Sequence, residues 1–284
     1  MILYTYLICR ERILMKKLLF LITLLVGFST ANAHHIDNRE NKLVITYAKY
    51  WAPYSYYDEN GKIQGILIEL LNELLHKRLN IELEHVGLPW KRAQVIVEDG
   101  IYDAVITSPT AKRKKLHAIN EETLINIEWR IFVSKNSKKF FDVMDMNNPL
   151  KNKNFSYCSI LGDDSSREIF KNYGIEGFHQ SKDLHKSIEM LDSGRIDIFM
   201  NSKLTTLTKI YEKGLQDKIK LHPTAYKEMP FKLMISNKSS YNKKILKKLD
   251  TLVAKMKKDG SYYKLIEKIE EKVLKKVLIK QGMY

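Results

Sequence analysis

Between residues 43 and 107 the chain changes hydrophobic period again and again, and few folds accept such a pattern. Leu43-Val44-Ile45-Thr46-Tyr47 is a short apolar run, while Ile66, Leu67, Leu70, Leu71, Leu74 and Leu75 recur at helical spacing. Residues 81–86 alternate with period two, and residues 90–98 return to the helical period until Asp99-Gly100 stops them. Residues 102–107 are again short and apolar, ending in Ser108-Pro109-Thr110. Strand, helix, strand, helix, strand in this order predicts an α/β layer with a doubly wound parallel sheet.

The same alternation begins afresh further along. Residues 130–133 read as a strand, Asn147-Asn148-Pro149 as a break, and residues 155–161 as a strand. Gly162-Asp163-Asp164-Ser165-Ser166 leads into a helix with the acidic, hydroxylated first turn that helix N-termini favour. Residues 182–191 are helical, Gly194 breaks them, and residues 196–200 and 231–235 are strands. From Tyr241 two Lys-rich amphipathic helices follow, meeting near Asp259-Gly260. A chain of 284 residues accommodates two such α/β units, each with its own core.

The N-terminus reads as a secretory leader: Met15-Lys16-Lys17, then an apolar run of about eleven residues from Leu18 to Phe28, then Ala31-Asn32-Ala33 as a cleavage site. Met15 is then the true start and residues 1–33 are removed; an uncleaved N-terminal anchor is the alternative, although the run is short for a membrane span of roughly 20 residues. No Cys stands at the cleavage point to take a lipid. Cleavage removes Cys9 and leaves Cys158 alone, so no intramolecular disulfide is expected, and its strand-like setting predicts a small buried side chain. The formal charge of +15 falls by about three, since the leader holds Arg10, Arg12, Lys16 and Lys17 against Glu11. The remaining lysines are spread, densest over residues 243–280 on what reads as solvent-facing helix surface, and no nucleic-acid module accompanies them. The histidines are scattered, and neither metal-ligand nor nucleophile–base spacing is present, so no cofactor is expected.

Ligands of open α/β sheets sit beyond the carboxyl ends of strands. Four loops leave such ends here: residues 49–57, 108–110, 162–166 and 201–203.

Trp51-Ala52-Pro53-Tyr54; Asp58-Glu59-Asn60-Gly61-Lys62 followed by Gly65 and Glu69; Gly100 with Tyr102-Asp103-Ala104; Gly162; Ser193-Gly194-Arg195-Ile196-Asp197; and Lys257-Lys258-Asp259-Gly260-Ser261-Tyr262 follow one another along the chain. In that order they resemble the bacterial extracellular solute-binding proteins of family 3. Pro89-Trp90-Lys91-Arg92-Ala93 looks like a recurring variant within that family. The resemblance covers residues 42–269 and implies a two-lobed periplasmic binding protein fold of type II, hinged on two crossover strands. Lobe 1 would comprise residues 42–125 plus 233–284, and lobe 2 residues 126–232. It further implies a monomeric periplasmic receptor for a small-molecule ligand, working with an inner-membrane ABC permease.

The resemblance also implies site residues. Trp51 falls where the family stacks an aromatic on the ligand, with Tyr54 as core and Tyr56 and Tyr57 at the rim. Thr107, Ser108 and Thr110 would offer hydroxyl and N–H groups to a polar or anionic group. An Arg in the next helix would clamp a carboxylate: Arg113 if a gap is allowed, Lys115 if not, with Arg113 favoured. Arg92 would be a second cationic contact. Asp164 and Ser165 sit at a helix start in the second lobe. Where amino-acid binders of the family carry an Asp for the ligand's ammonium, strict spacing gives Ser202, with Asn201 beside it. Neither is charged, and losing a buried charge-assisted bond costs on the order of 1.5–3 kcal/mol. Either another acid such as Asp164 takes that role or the ligand lacks the amine. Two other functions compete: a sensory input to a membrane kinase or chemoreceptor, and a cyclohexadienyl-dehydratase-like enzyme using Glu69, Glu128 or Asp164.

Overall fold

The computed structural model of the chain describes residues 42–224 and 226–280. The expected leader, with its cleavage site and the start at Met15, lies outside the described residues. Strands run in chain order as β1 (Lys42–Ala48), β2 (Tyr50–Trp51), β3 (Ser55–Tyr57), β4 (Ile63–Gln64), β5 (Glu82–Leu88), β6 (Ala104–Thr107), β7 (His117–Ile119) and β8 (Ile125–Ser134). They continue as β9 (Tyr157–Ile160), β10 (His179–Ser181), β11 (Ile198–Ser202), β12 (Ile219–Leu221) and β13 (Lys227–Ser236). The helices are α1 (Ile66–Leu71), which widens into π-helical turns over Asn72–Lys77, α2 (Trp90–Glu98), α3 (Ala111–Leu116), α4 (Phe140–Met144) and α5 (Asp164–Asn172). After them come α6 (Leu184–Asp192), α7 (Lys203–Glu212), α8 (Lys244–Lys258) and α9 (Ser261–Lys280).

Hydrogen bonding orders the main sheet β10-β9-β11-β8-β13-β6-β1-β5, with β12 on β8 and β7 on β13. The expected parallel pairing holds within each flank: β1 beside β6, and β9 beside both β10 and β11. The centre departs from it. β8 is antiparallel to β11 and to β13, and β13 is antiparallel to β6. The reason is topological: β8 carries the chain from one flank to the other and β13 brings it back, so the two run in opposite directions side by side. Trp129 stands opposite Lys227, and Phe231 opposite Ile125.

The helices form because each buries one face. In α1 and its π-helical extension Ile66, Leu67, Leu70, Leu71, Leu74 and Leu75 are at most 1% exposed, each contributing about 1.5–3 kcal/mol through burial. Helix α8 buries Ile245, Leu249, Val253 and Met256, while Lys244, Lys247 and Lys248 face solvent as expected. Cys158 is buried among Phe132, Ile188 and Phe199. A separate three-stranded sheet, β2-β3-β4, sets Trp51 opposite Ser55. It is tied down at Gly65, where φ is 134° and an added Cβ would come within 2.3 Å of the Tyr54 carbonyl oxygen. Among the described residues no helix is long and apolar enough to cross a membrane.

Candidate functional site

The carboxyl ends of β1, β6, β9 and β11 and the middles of β8 and β13 line a cavity of about 300 Å3. Aromatic rings make much of its wall: Tyr47, Trp51, Trp90, Trp129 and Phe231. The end of β2 presents Trp51, which stacks on Phe231 with centroids 5.5 Å apart and planes 26° from parallel. Tyr54, as expected, is core; it packs 4.7 Å from Trp51, and its hydroxyl meets that of Ser202. Trp129, on β8, donates from Nε1 to Ser166 Oγ at 3.3 Å. Tyr50 lines the cavity, whereas Tyr56 and Tyr57 do not: the Tyr57 hydroxyl reaches back to Gly87 on β5.

One guanidinium enters this wall. Arg113 is 2% exposed. Its Nη1 donates to the Ser108 carbonyl at 3.0 Å and to Ser165 Oγ at 3.4 Å, and its Nη2 to Gln94 Oε1 at 2.7 Å. Nε is buried without a partner, and the Trp90 ring lies 5.6 Å from Cζ. Burial pushes the guanidinium pKa down, and Asp164 and then Asp163 pull it back. Lys115, the alternative clamp, faces solvent on α3. Local sequence explains the difference: Thr110 caps α3 by accepting from Arg113 N, which fixes residue 113 on the inner face and turns Lys114 and Lys115 outward.

Of the expected site residues, Trp51, Thr107, Arg113, Ser165 and Asn201 line the cavity. Ser108 and Asp164 stand behind it and touch Arg113, the latter at 3.8 Å from Nη2 and equally close, at 3.7 Å, to Arg167. Thr110 acts as the cap just described. Two expectations need correction. Arg92 is exposed on α2 and is not part of the wall, because the helical turn that buries Ala93 and Gln94 rotates it outward; Trp90, one turn before Gln94, takes the place near the cavity. Ser202 is fully buried beside Tyr54 rather than facing the cavity, since alternation along β11 gives that face to Asn201.

Two carboxylates also reach the wall. Asp163 caps α5, with Oδ1 accepting from Ser166 N and Oδ2 from Ser166 Oγ; burial pushes its pKa up against those bonds. Asp183 caps α6 by accepting from Lys186 N. Asn201 Oδ1 is taken by Ser202 N at 2.6 Å, so its amide presents N–H to the cavity. Lys182, Asp183, Trp129 and Phe231 were not foreseen; only Trp129 and Phe231 carried a signal, as aromatics on strands near an α/β crossover. The acids named for proton transfer are engaged elsewhere: Glu69 with Lys272, Glu128 with Arg130 and Lys203. Among the described residues no group of three or more His, Cys, Asp or Glu could hold a metal ion.

A sequence model of the bacterial extracellular solute-binding proteins, family 3, matches residues 43–271. A probable amino-acid ABC transporter-binding protein of Haemophilus influenzae is 26% identical over 227 residues, 74% of this chain and 78% of that one. Among solved structures, the arginine-, lysine-, histidine-binding protein ArtJ from Geobacillus stearothermophilus superposes with a TM-score of 0.64 at 17% identity, covering 80% of this chain and 94% of its own. A histidine kinase sensor domain with similarity to periplasmic binding proteins gives 0.65 at 15% identity, covering 81% and 96%. The fold is therefore the two-lobed α/β architecture of periplasmic binding proteins.

Proposed function

The chain belongs to the bacterial extracellular solute-binding proteins, family 3, and from that membership we propose that it captures a small carboxylate-bearing solute in the periplasm and hands it to an ABC-type importer. The observation that carries this reading is Arg113: a guanidinium 2% exposed, lining an aromatic cavity, with its Nε unpartnered. A buried cation with an unused donor is costly unless an acceptor reaches it, and a carboxylate supplies one. Trp51, held flat by Phe231, supplies the apolar platform. Thr107, Ser165 and the N–H of Asn201 complete a donor-rich wall.

Residues 42–125 with 233–284 would form one lobe and residues 126–232 the other, with β8 and β13 as the hinge, and the protein would act as a monomer without chemistry of its own. The solute would owe little of its hold to an α-amine. Asp164, the acid that could have met an ammonium, faces Arg113 and Arg167 instead. Both oxygens of Asp163 are taken by Ser166, and one oxygen of Asp183 by Lys186 N.

A second reading, a soluble sensor for a membrane kinase, draws support from the likeness to the kinase sensor domain. Both readings begin with solute capture, which a thermal-shift screen on refolded protein tests. Matched trios of an amino acid, its 2-oxo analogue and the corresponding amine are compared. Binding at a hundredfold excess over Kd adds about 2.7 kcal/mol. Carboxylates should raise the melting temperature and amines should not; a screen in which no carboxylate does so overturns the proposal.

A further inference from the structure

Gln94 is a buried polar residue, 5% exposed, in the middle of α2, and sequence reading gave it no role. The backbone of α2 is fastened to β1 at this level, where Thr46 Oγ1 donates to the Ala93 carbonyl at 3.0 Å. Both ends of the Gln94 amide are committed. Oε1 accepts from Arg113 Nη2 at 2.7 Å, and Nε2 donates to the Gly162 carbonyl at 2.8 Å. Only one orientation of the amide satisfies both neighbours, because a guanidinium only donates and a carbonyl only accepts. The glutamine thus bridges the guanidinium and the Gly162 carbonyl, accepting from the one and donating to the other.

Gly162 is shaped to receive it. Its φ is 84°, and an added Cβ would come 3.1 Å from Gln94 Nε2 and 3.2 Å from Lys91 Cα. The turn at Gly162 opens α5, whose Ser165 hydroxyl lies 2.5 Å from that of Ser108 and 3.4 Å from Arg113 Nη1. Gln94, Ser108 and Arg113 precede β8 in the chain, whereas Gly162 and Ser165 lie between β8 and β13.

We propose that Gln94 is a positioning residue for closure of the two lobes, tying the Arg113 guanidinium to the backbone of the Gly162 turn. This rests on the lobe assignment given above, with Gln94 and Gly162 on opposite sides of the cleft.

The test needs no solute. In a Ser108→Cys/Ser165→Cys protein the two sulfurs come within bonding reach only when the lobes meet, so the rate of disulfide formation under a mild oxidant reports closure. Adding Gln94→Glu keeps an acceptor for Arg113 and removes the donor to Gly162; it should slow cross-linking about tenfold or more. Gly162→Ala should slow it as well, by steric obstruction, while Val95→Gln, on the same helix but facing solvent, should leave the rate unchanged. Melting temperatures of all variants identify any that merely fail to fold, and a purely structural role would lower them without changing the rate measured well below melting. Unchanged cross-linking in both Gln94→Glu and Gly162→Ala overturns the proposal. So does a folded double-cysteine parent that never cross-links. Neither outcome depends on whether a carboxylate binds, so this inference and the proposed function fail separately.

Discussion

Trp51 and Phe231 stack 5.5 Å apart although they lie far apart in the chain, one in a small antiparallel sheet and the other on the returning strand β13. Phe231, 4% exposed, backs the indole that faces the cavity. Trp51→Ala should therefore weaken solute binding by roughly tenfold to a hundredfold while costing little stability, since the residue is only partly buried. Phe231→Ala, in the core, should cost about 3–5 kcal/mol in folding free energy. Calorimetric titration and urea unfolding separate the two; equal effects of both variants on both readouts would contradict this division.

Arg113→Ala should abolish binding of the best carboxylate hit. It also strands the Ser108 carbonyl and Gln94 Oε1 and takes from Asp164 one of its two cationic neighbours, so a loss of about 3 kcal/mol or more in stability is expected. Arg113→Lys keeps the charge but not the fork, and should recover part of the stability and little of the affinity. Full binding by Arg113→Ala would move the clamp elsewhere.

Asn201→Asp offers a gain of function. One oxygen of an aspartate at this position can keep the bond from Ser202 N, leaving the other for an ammonium. The variant should bind amino acids at least about tenfold better relative to their 2-oxo analogues than the parent does. An unchanged preference in competition titration would show that residue 201 does not face that end of the solute.

Stability should fall with acid through His85. Burial pushes its pKa down to about 4. Its Nε2 meets Asn72 Oδ1 at 3.1 Å and its Nδ1 the Tyr47 hydroxyl at 2.8 Å, so the neutral ring with Nε2 protonated fits both. The unfolded imidazole takes up its proton near pH ~6.5. Between that pH and about 4 the unfolded chain binds more protons. The contribution is thus fully present above pH ~6.5 and is lost as pH falls, by at most about 1.4 kcal/mol per unit. Burial shifts His117 and His222 in the same direction. Urea midpoints at pH 7 and pH 5 should differ, and His85→Gln should reduce the difference by up to one proton's slope; an identical slope would exclude His85 as a contributor.

Much of the fold was legible in the sequence because it is local. The helix at residues 90–98 was read to the residue, since its apolar period and the Asp99-Gly100 stop lie within ten positions. The two long central strands were read only in part, as residues 130–133 and 231–235, because Asn126 and Glu128 break up the apolar run at the start of β8 and Lys227, Glu228 and Pro230 that of β13. The same limit governs the site. Arg113 and Trp51 are reached through the family resemblance, whose motifs are short and local. Trp129, Phe231 and Gln94 acquire their positions from partners about 20 to 180 residues away, through strand pairing and packing that no short window contains. Ser202 has a smaller reason: the spacing of the family pattern points to residue 202, whereas alternation along β11 turns Asn201 to the wall.

The paired strands β8 and β13 have a consequence for how such a receptor could be retuned. Trp129 and Phe231, which floor the cavity, sit in the very segments that connect its two sides. With β8 and β13 as the proposed hinge, a substitution there that reshapes the floor for a different guest would also alter the stiffness of the joint. Taste and suppleness would then be inherited together, and a laboratory selection for one should be expected to drag the other with it.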